Sequence, residues 1–223
     1  MRYCMKCGAR LPEDEAARFC PACGAFIGAQ QLPYERRFET RRESRRTLGV
    51  ATLRNRVLAV LLTFVLCLII TAAGAVSKVE RREADEIVDE FDRLEEFLPI
   101  AGLQFIFGNN MMYCAIMFVP VIGPYYGSYV LYSTGRALSA FGLASGYNPL
   151  ELFFSLFVYP HAWLEYFSYS LALSESFWLI YAIVRHKERS LRNELSTAAK
   201  IMAICTMLLL LAAVAEMSLI TYG

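Results

Sequence analysis

The chain has 223 residues, of which 57% are hydrophobic and 13% aromatic, and its formal net charge is +1. That composition excludes an ordinary soluble domain. The near-zero charge gives no electrostatic reason to expect a nucleic-acid partner.

The first 23 residues carry four cysteines, in Cys4-Met5-Lys6-Cys7-Gly8 and Cys20-Pro21-Ala22-Cys23-Gly24. Each Cys-x-x-Cys turn aims two thiolates at one point, and the glycine tolerates the strained backbone that follows. Two such knuckles twelve residues apart supply the four soft ligands of a tetrahedral structural zinc site. The alternatives are two disulfides or a redox pair. No apolar signal peptide precedes Cys4, so an oxidising compartment is not indicated. About 25 residues cannot build an adequate core, so the metal must supply the folding free energy. Residues 1–27 are therefore read as a zinc ribbon with one Zn(2+) held by Cys4, Cys7, Cys20 and Cys23. With no open coordination position, that zinc is structural. Cys67, Cys114 and Cys205 fall in apolar segments and read as small buried hydrophobes. No internal repeat stands out.

Residues 28–56 form a basic juxtamembrane linker. Within it, Tyr34 to Arg46 interleaves Glu35, Glu39 and Glu43 with six arginines. This stretch suits anionic headgroups, or is an ordinary solvated flank of a membrane span. Residues 57–223 read as an all-α polytopic membrane bundle of five transmembrane helices with one broken helix. Val57 to Val76 is uncharged and long enough to span. An acidic amphipathic helix follows over 78–98. Ser77 and Glu80 have capping-box spacing, and Ile87, Phe91, Leu94 and Leu98 recur at helical spacing. That stripe lies on the membrane, pairs with a partner helix, or packs on its own bundle. Phe97 to Gly135 is 39 uncharged residues, read as two spans joined by a turn at Pro120 and Gly123-Pro124, the second running from about Tyr125 to Phe141. Gly142 to Pro149 is a loop. Leu150 to Val184 would measure about 52 Å as one helix, too long for a bilayer. Pro160 divides it into a half-helix over 150–159, re-entrant or interfacial, and a span from Pro160 to Val184. Thr197 to Thr221 is the fifth span.

Basic residues set the orientation. The linker before the first span carries eight arginines, Arg36 to Arg56, and the loop before the fifth carries four Lys/Arg, whereas the loop after the first has four Lys/Arg against nine Asp/Glu. The positive-inside rule places the N-terminus in the cytoplasm and the C-terminus outside, in a multi-pass protein of the cell membrane.

Polar groups fall within the apolar segments: Asn109 and Asn110, Arg136, His161, Glu165 and Glu175, and Glu216. A charge near the bilayer centre costs at least about 2.5 kcal/mol, so such groups pair and face inward. His161, Glu165, Ser168, Ala172 and Glu175 share one stripe of their helix. Counting residues along the helices levels Arg136 with Glu175, near Asn109 and Asn110, which predicts a midplane ion pair. His161, Glu165 and Glu216 form an outer group. His161 and Glu165, at i and i+4, could be a metal pair, although a hydrogen-bonded structural pair is the commoner arrangement.

Asn109-Asn110 followed by Pro160-His161-Ala162-x-x-Glu165 resembles the stage II sporulation protein M family of multi-pass membrane proteins, over about Ile100 to Ile220. The positions that match are Asn110, Pro160, His161 and Glu165. Ala162 departs from the family's glycine, and Arg136 from its small or amide residue. The resemblance implies a membrane scaffold that recruits partners; in spore formers the family works with cell-wall-degrading proteins. It is also distantly similar to the permease half of one class of ABC exporter.

Three functions are compatible with this reading. The first is a non-enzymatic scaffold that docks protein partners through the ribbon or the outer helix, as monomer or homo-oligomer. The second is a permease subunit needing a separate ATPase, since no phosphate-binding loop occurs. The third is an intramembrane metal-dependent hydrolase using His161 and Glu165.

Overall fold

A computed structural model describes residues 3–11, 18–26, 52–185 and 188–222. The basic stretch Tyr34 to Arg46 lies outside the described residues. The chain divides into two compact units, Met1–Thr52 and Leu53–Gly223.

In the first unit the two knuckles repeat one another. The Cys4 amide donates to the Ala9 carbonyl at 2.8 Å, and the Cys20 amide to the Ala25 carbonyl at 2.8 Å. Gly8 and Gly24 follow with φ of 72° and 68°, a conformation that side-chain-bearing residues rarely adopt. Isolated antiparallel bridges, Tyr3 with Arg10 and Phe19 with Phe26, close each turn. This short internal repeat was not evident from the sequence, because only its cysteines, glycine and following alanine are identical in the two copies.

The described part of the second unit is entirely helical: α1 (Leu53–Ala75), α2 (Arg81–Met117), α3 (Ile122–Ser145), α4 (Pro149–Leu156), α5 (Pro160–Val184) and α6 (Glu188–Tyr222). Among the described residues, three helices are long and apolar enough to cross a membrane: Leu53–Ala75, Pro160–Val184 and Leu191–Tyr222. The second and third expected spans are not among them. In α3, Arg136 and a tyrosine-rich first half dilute the apolar character.

Several boundaries differ from expectation. The acidic stretch and the second expected span are two helical segments that meet without a loop: α2 is kinked at Gly102 (φ 41°, ψ −129°), shortly after Pro99. Proline removes a helix hydrogen bond and glycine accepts the positive φ. The capping box does not form: Glu80 is the cap residue and makes no side-chain cap bond. Ser77 Oγ instead donates to the Gly74 carbonyl at 2.6 Å. Part of the amphipathic stripe packs on its own bundle, with Ala84 buried and the Phe91 ring 5.2 Å from that of Phe141. The loop after α3 shrinks to three residues, opened by Gly146 at φ 76°. The short helix α4 runs Pro149–Leu156, its first turn capped by Asn148 Oδ1 accepting from the Leu150 amide at 3.0 Å. The last helix begins at Glu188 rather than Thr197.

Close packing comes from small residues. The buried positions of α1 are Thr63, Cys67, Thr71, Gly74 and Ala75, one face at helical spacing. They meet α3 at Gly135, where an added Cβ would collide with the Thr71 carbonyl oxygen. Small residues of this kind let helix backbones approach in membranes. On the opposite face of α1, Leu58, Leu61, Leu62, Val65 and Ile69 are exposed, as a lipid-facing surface requires. Helix α5 sits at the centre, in contact with α1, α2, α3 and α6. Its buried serines turn back on backbone: Ser168 donates to the Leu164 carbonyl at 2.8 Å and Ser170 to the Tyr166 carbonyl at 2.6 Å.

Candidate functional site

Cys4, Cys7, Cys20 and Cys23 offer sulfur atoms that all lie within 4.8 Å of one another. Cys4 Sγ is 3.6 Å from Cys23 Sγ, and Cys7 Sγ is 3.8 Å from Cys20 Sγ. A tetrahedral site with Zn–S bonds of about 2.3 Å sets its sulfurs about 3.8 Å apart, so the four fit such an ion. The Cys7 backbone amide, followed by that of Lys6, holds the Cys4 thiol down to about 6, the direction a metal ligand needs. Cys4 and Cys20 are buried with Leu11 in a minimal core.

The helical unit carries polar contacts at both ends. At one end Arg56, in the first turn of α1, donates to Glu175 Oε1 of α5 at 2.7 Å and pairs with Glu194 of α6. Its guanidinium lies 5.1 Å from the centre of the Trp178 ring. Glu175 is 2% exposed, and its second oxygen is buried without a hydrogen-bond partner. At the other end Arg136 of α3 pairs with Glu83 of α2 and lies 3.4 Å from Ser77 Oγ. Ser139 Oγ donates to the Ser77 carbonyl at 2.8 Å.

The expected pair of Arg136 with Glu175 therefore does not form. Counting residues gave each group a depth but could not give its partner. Arg56 and Glu83 were assigned to flanking segments, whereas the helices that carry them extend far enough to place both in the bundle. The acids of α5 meet different neighbours, Glu175 the guanidinium of Arg56 and Glu165 the amide of Asn110, because other helices surround α5.

Nearer the N-terminus of α5, Asn110 Nδ2 of α2 donates to Glu165 Oε1 at 2.6 Å. The Asn110 Oδ1 accepts from the Tyr169 hydroxyl at 2.9 Å. Asn110 thus joins the outer group rather than a midplane one. Pro160 takes the first turn of α5, and the His161 ring stacks on Tyr159 with centroids 5.8 Å apart. His161 Nδ1 is buried and unpartnered. Asn109 is half-buried beside Asn110. The sequence reading missed Arg56, Glu83, Glu194 and Tyr169. Of these only Arg56 had a visible signal, its closeness to the first apolar run.

These features define a membrane-type helical protein that carries a four-cysteine unit ahead of its helices. The chain belongs to the stage II sporulation protein M family, whose family model matches residues 57–219. The match takes in α1, which the sequence signature had left outside. No curated protein and no solved structure matches the chain.

Proposed function

We propose that the chain is a non-enzymatic, multi-pass scaffold of the cell membrane whose ribbon holds one structural zinc and docks protein partners in the cytoplasm. The observation that carries this reading is that, Arg82–Glu86 within α2 aside, the described ion pairs of the bundle join helix to helix. Arg56 links α1 to α5 and α6, and Arg136 links α3 to α2. Charges spent on tying helices together make a platform, and they leave the ribbon to present a surface. Phe19 and Phe26 are 60% and 54% exposed there. Exposed aromatics on a small rigid unit are common interface anchors.

In this reading α1, the part of α2 after Gly102, α3, α5 and α6 cross the bilayer in turn. The end carrying Arg56 faces the cytoplasm, in line with the basic residues that precede α1 and open α6. Chemical crosslinking in native membranes, followed by mass spectrometry, tests the scaffold. Partners held by the wild type should fall away when Cys20→Ser disrupts the ribbon. A stoichiometric ATPase retained by both proteins would instead identify a permease subunit. Reporter fusions at Met1 and Gly223 test the orientation, and signals from the same side would defeat five crossings.

A further inference from the structure

Helices α2 and α3 turn back before α5 ends. Ser176 Oγ of α5 donates to the Val119 carbonyl at 3.0 Å, so the α2–α3 turn lies level with residue 176. Helix α5 runs on to Val184, about 12 Å further by helix rise. The face that α5 turns to α3 is marked by Leu173, whose Cδ2 would stand 2.9 Å from a Cβ on Gly127. At helical spacing the same face carries Phe177, Tyr181 and Val184. All three are exposed, because α3 begins at Ile122 and does not reach them. The turn itself exposes Val121 and Ile122. Turn and helix thus make an apolar step on the side of the bundle. Arg185 stands at its far edge, with its guanidinium 4.9 Å from the centre of the Tyr181 ring.

We propose that this step binds one anionic phospholipid, with an acyl chain along Phe177, Tyr181 and Val184 and the phosphate on Arg185. The orientation proposed above makes it a lipid of the cytoplasmic leaflet, and the site rests on that reading only for the choice of leaflet.

The step opens sideways, where a membrane bundle meets acyl chains rather than water, so a chain can enter from the bilayer. Its charge stands at the end of the wall, where a headgroup would lie. A guanidinium offers a phosphate two parallel donors. Arg185 makes no ion pair with an acid among the described residues. Glu175 and Glu194, at the same end, are both taken by Arg56 and do not compete for it. Arg54, Arg192 and Lys200 are also exposed around this end. Their field favours an anionic headgroup over one that carries its own cation.

The test is native mass spectrometry of the full-length protein, released from detergent after addition of phosphatidylglycerol or phosphatidylcholine. Wild type should keep one phosphatidylglycerol per chain, and no phosphatidylcholine at the same concentration. Arg185→Gln should weaken retention by about 5-fold, the effect of one cation near an anionic headgroup. Arg185→Lys should keep most of it. Arg93→Gln, exposed on α2 before the kink, should change nothing. Val184→Asp sets a charge against the acyl chain and should abolish retention. Melting curves like that of the wild type show that each variant is folded, and Phe177→Ser serves if Val184→Asp is not. Equal retention of the two lipids overturns the site, as does retention that survives both Arg185→Gln and Val184→Asp, since either describes the lipid that coats any bundle. A photoreactive residue at 181 that crosslinks to a second protein rather than to lipid also overturns it. None of these outcomes depends on whether the ribbon recruits partners.

Discussion

Arg56 and Glu175 are 119 residues apart in sequence and 2.7 Å apart in space. Arg56 has a second acid, Glu194, on α6, so one guanidinium joins three helices at a single end of the bundle. Truncating one partner of a buried pair leaves an uncompensated charge, which costs about 3–5 kcal/mol. Arg56→Met is expected to destabilise on that scale, because it strands two carboxylates. Arg56→Met with Glu175→Met should recover a large part of the loss. Thermal melts in detergent read the cycle, and purely additive losses would mean that the pair carries no coupling.

Arg136 and Glu83 form a different kind of pair, with side chains 25% and 41% exposed. Solvent screening holds such a contact to about 1 kcal/mol or less. Glu83→Gln should therefore cost far less than Arg56→Met under the same conditions. Arg136→Leu and Glu175→Leu should add to within about 0.5 kcal/mol, because the two residues have separate partners. A coupling well above that would restore the midplane pair expected from helix depth.

The difference between those pairs marks how far the sequence could be read. Residue types and spacing were enough for the cysteine quartet, since knuckle geometry is local. They were also enough for α5, whose bounds at Pro160 and Val184 are those expected from one proline and one basic flank. Partners across the bundle were not legible. A helix that starts four residues earlier moves Arg56 from flank to interior, and residue counting cannot supply the rotation of one helix against another. The Gly102 break was hidden for a related reason. Asp, Glu and Arg on one side of it and apolar residues on the other mark two segments, but not that the two meet at a kink with no loop between them.

Removing metal should separate the two units in behaviour. A strong zinc chelator, or Cys4→Ser, is expected to abolish the structure of the ribbon and leave the melting of the helical unit unchanged. The ribbon's described core is little more than Cys4, Cys20 and Leu11, so its folding free energy is metal binding. Protons compete with the metal for all four thiolates, so metal retention should fail as the pH is lowered. Ribbon resonances that stay dispersed in NMR spectra after chelation would sink this account.

Helix contact between α1 and α3 depends on an absent side chain. A Cβ at Gly135 would meet the Thr71 carbonyl oxygen, and one at Gly74 the Tyr132 carbonyl oxygen, both of them backbone atoms that cannot rotate aside. Gly135→Ala should cost about 1–3 kcal/mol, the usual range for overpacking. Gly108→Ala, where a Cβ meets nothing within 4 Å, is the matched control and should be neutral or mildly stabilising. Equal effects at the two sites would show that the close approach is not real.

The turn between α2 and α3 contains Val121 at φ 70° and ψ −52°, with the Ile122 amide donating to the Pro120 carbonyl at 2.8 Å. This is a three-residue γ-turn centred on a β-branched residue in a region that such residues avoid. Strain of that kind costs about 1–3 kcal/mol. Val121 is largely exposed, so its side chain recovers little by burial. Val121→Gly should relieve the strain at an entropic cost of about 0.5–1 kcal/mol. The variant should melt at a higher temperature than the wild type. Two residues on, Gly123→Ala should do the reverse, because its new Cβ would press on the Met117 carbonyl. The two substitutions exchange glycine in opposite directions within one turn, so an overall change in turn flexibility cannot mimic opposite shifts. If Val121→Gly lowers the melting temperature instead, the side chain at 121 has contacts that outweigh its backbone strain.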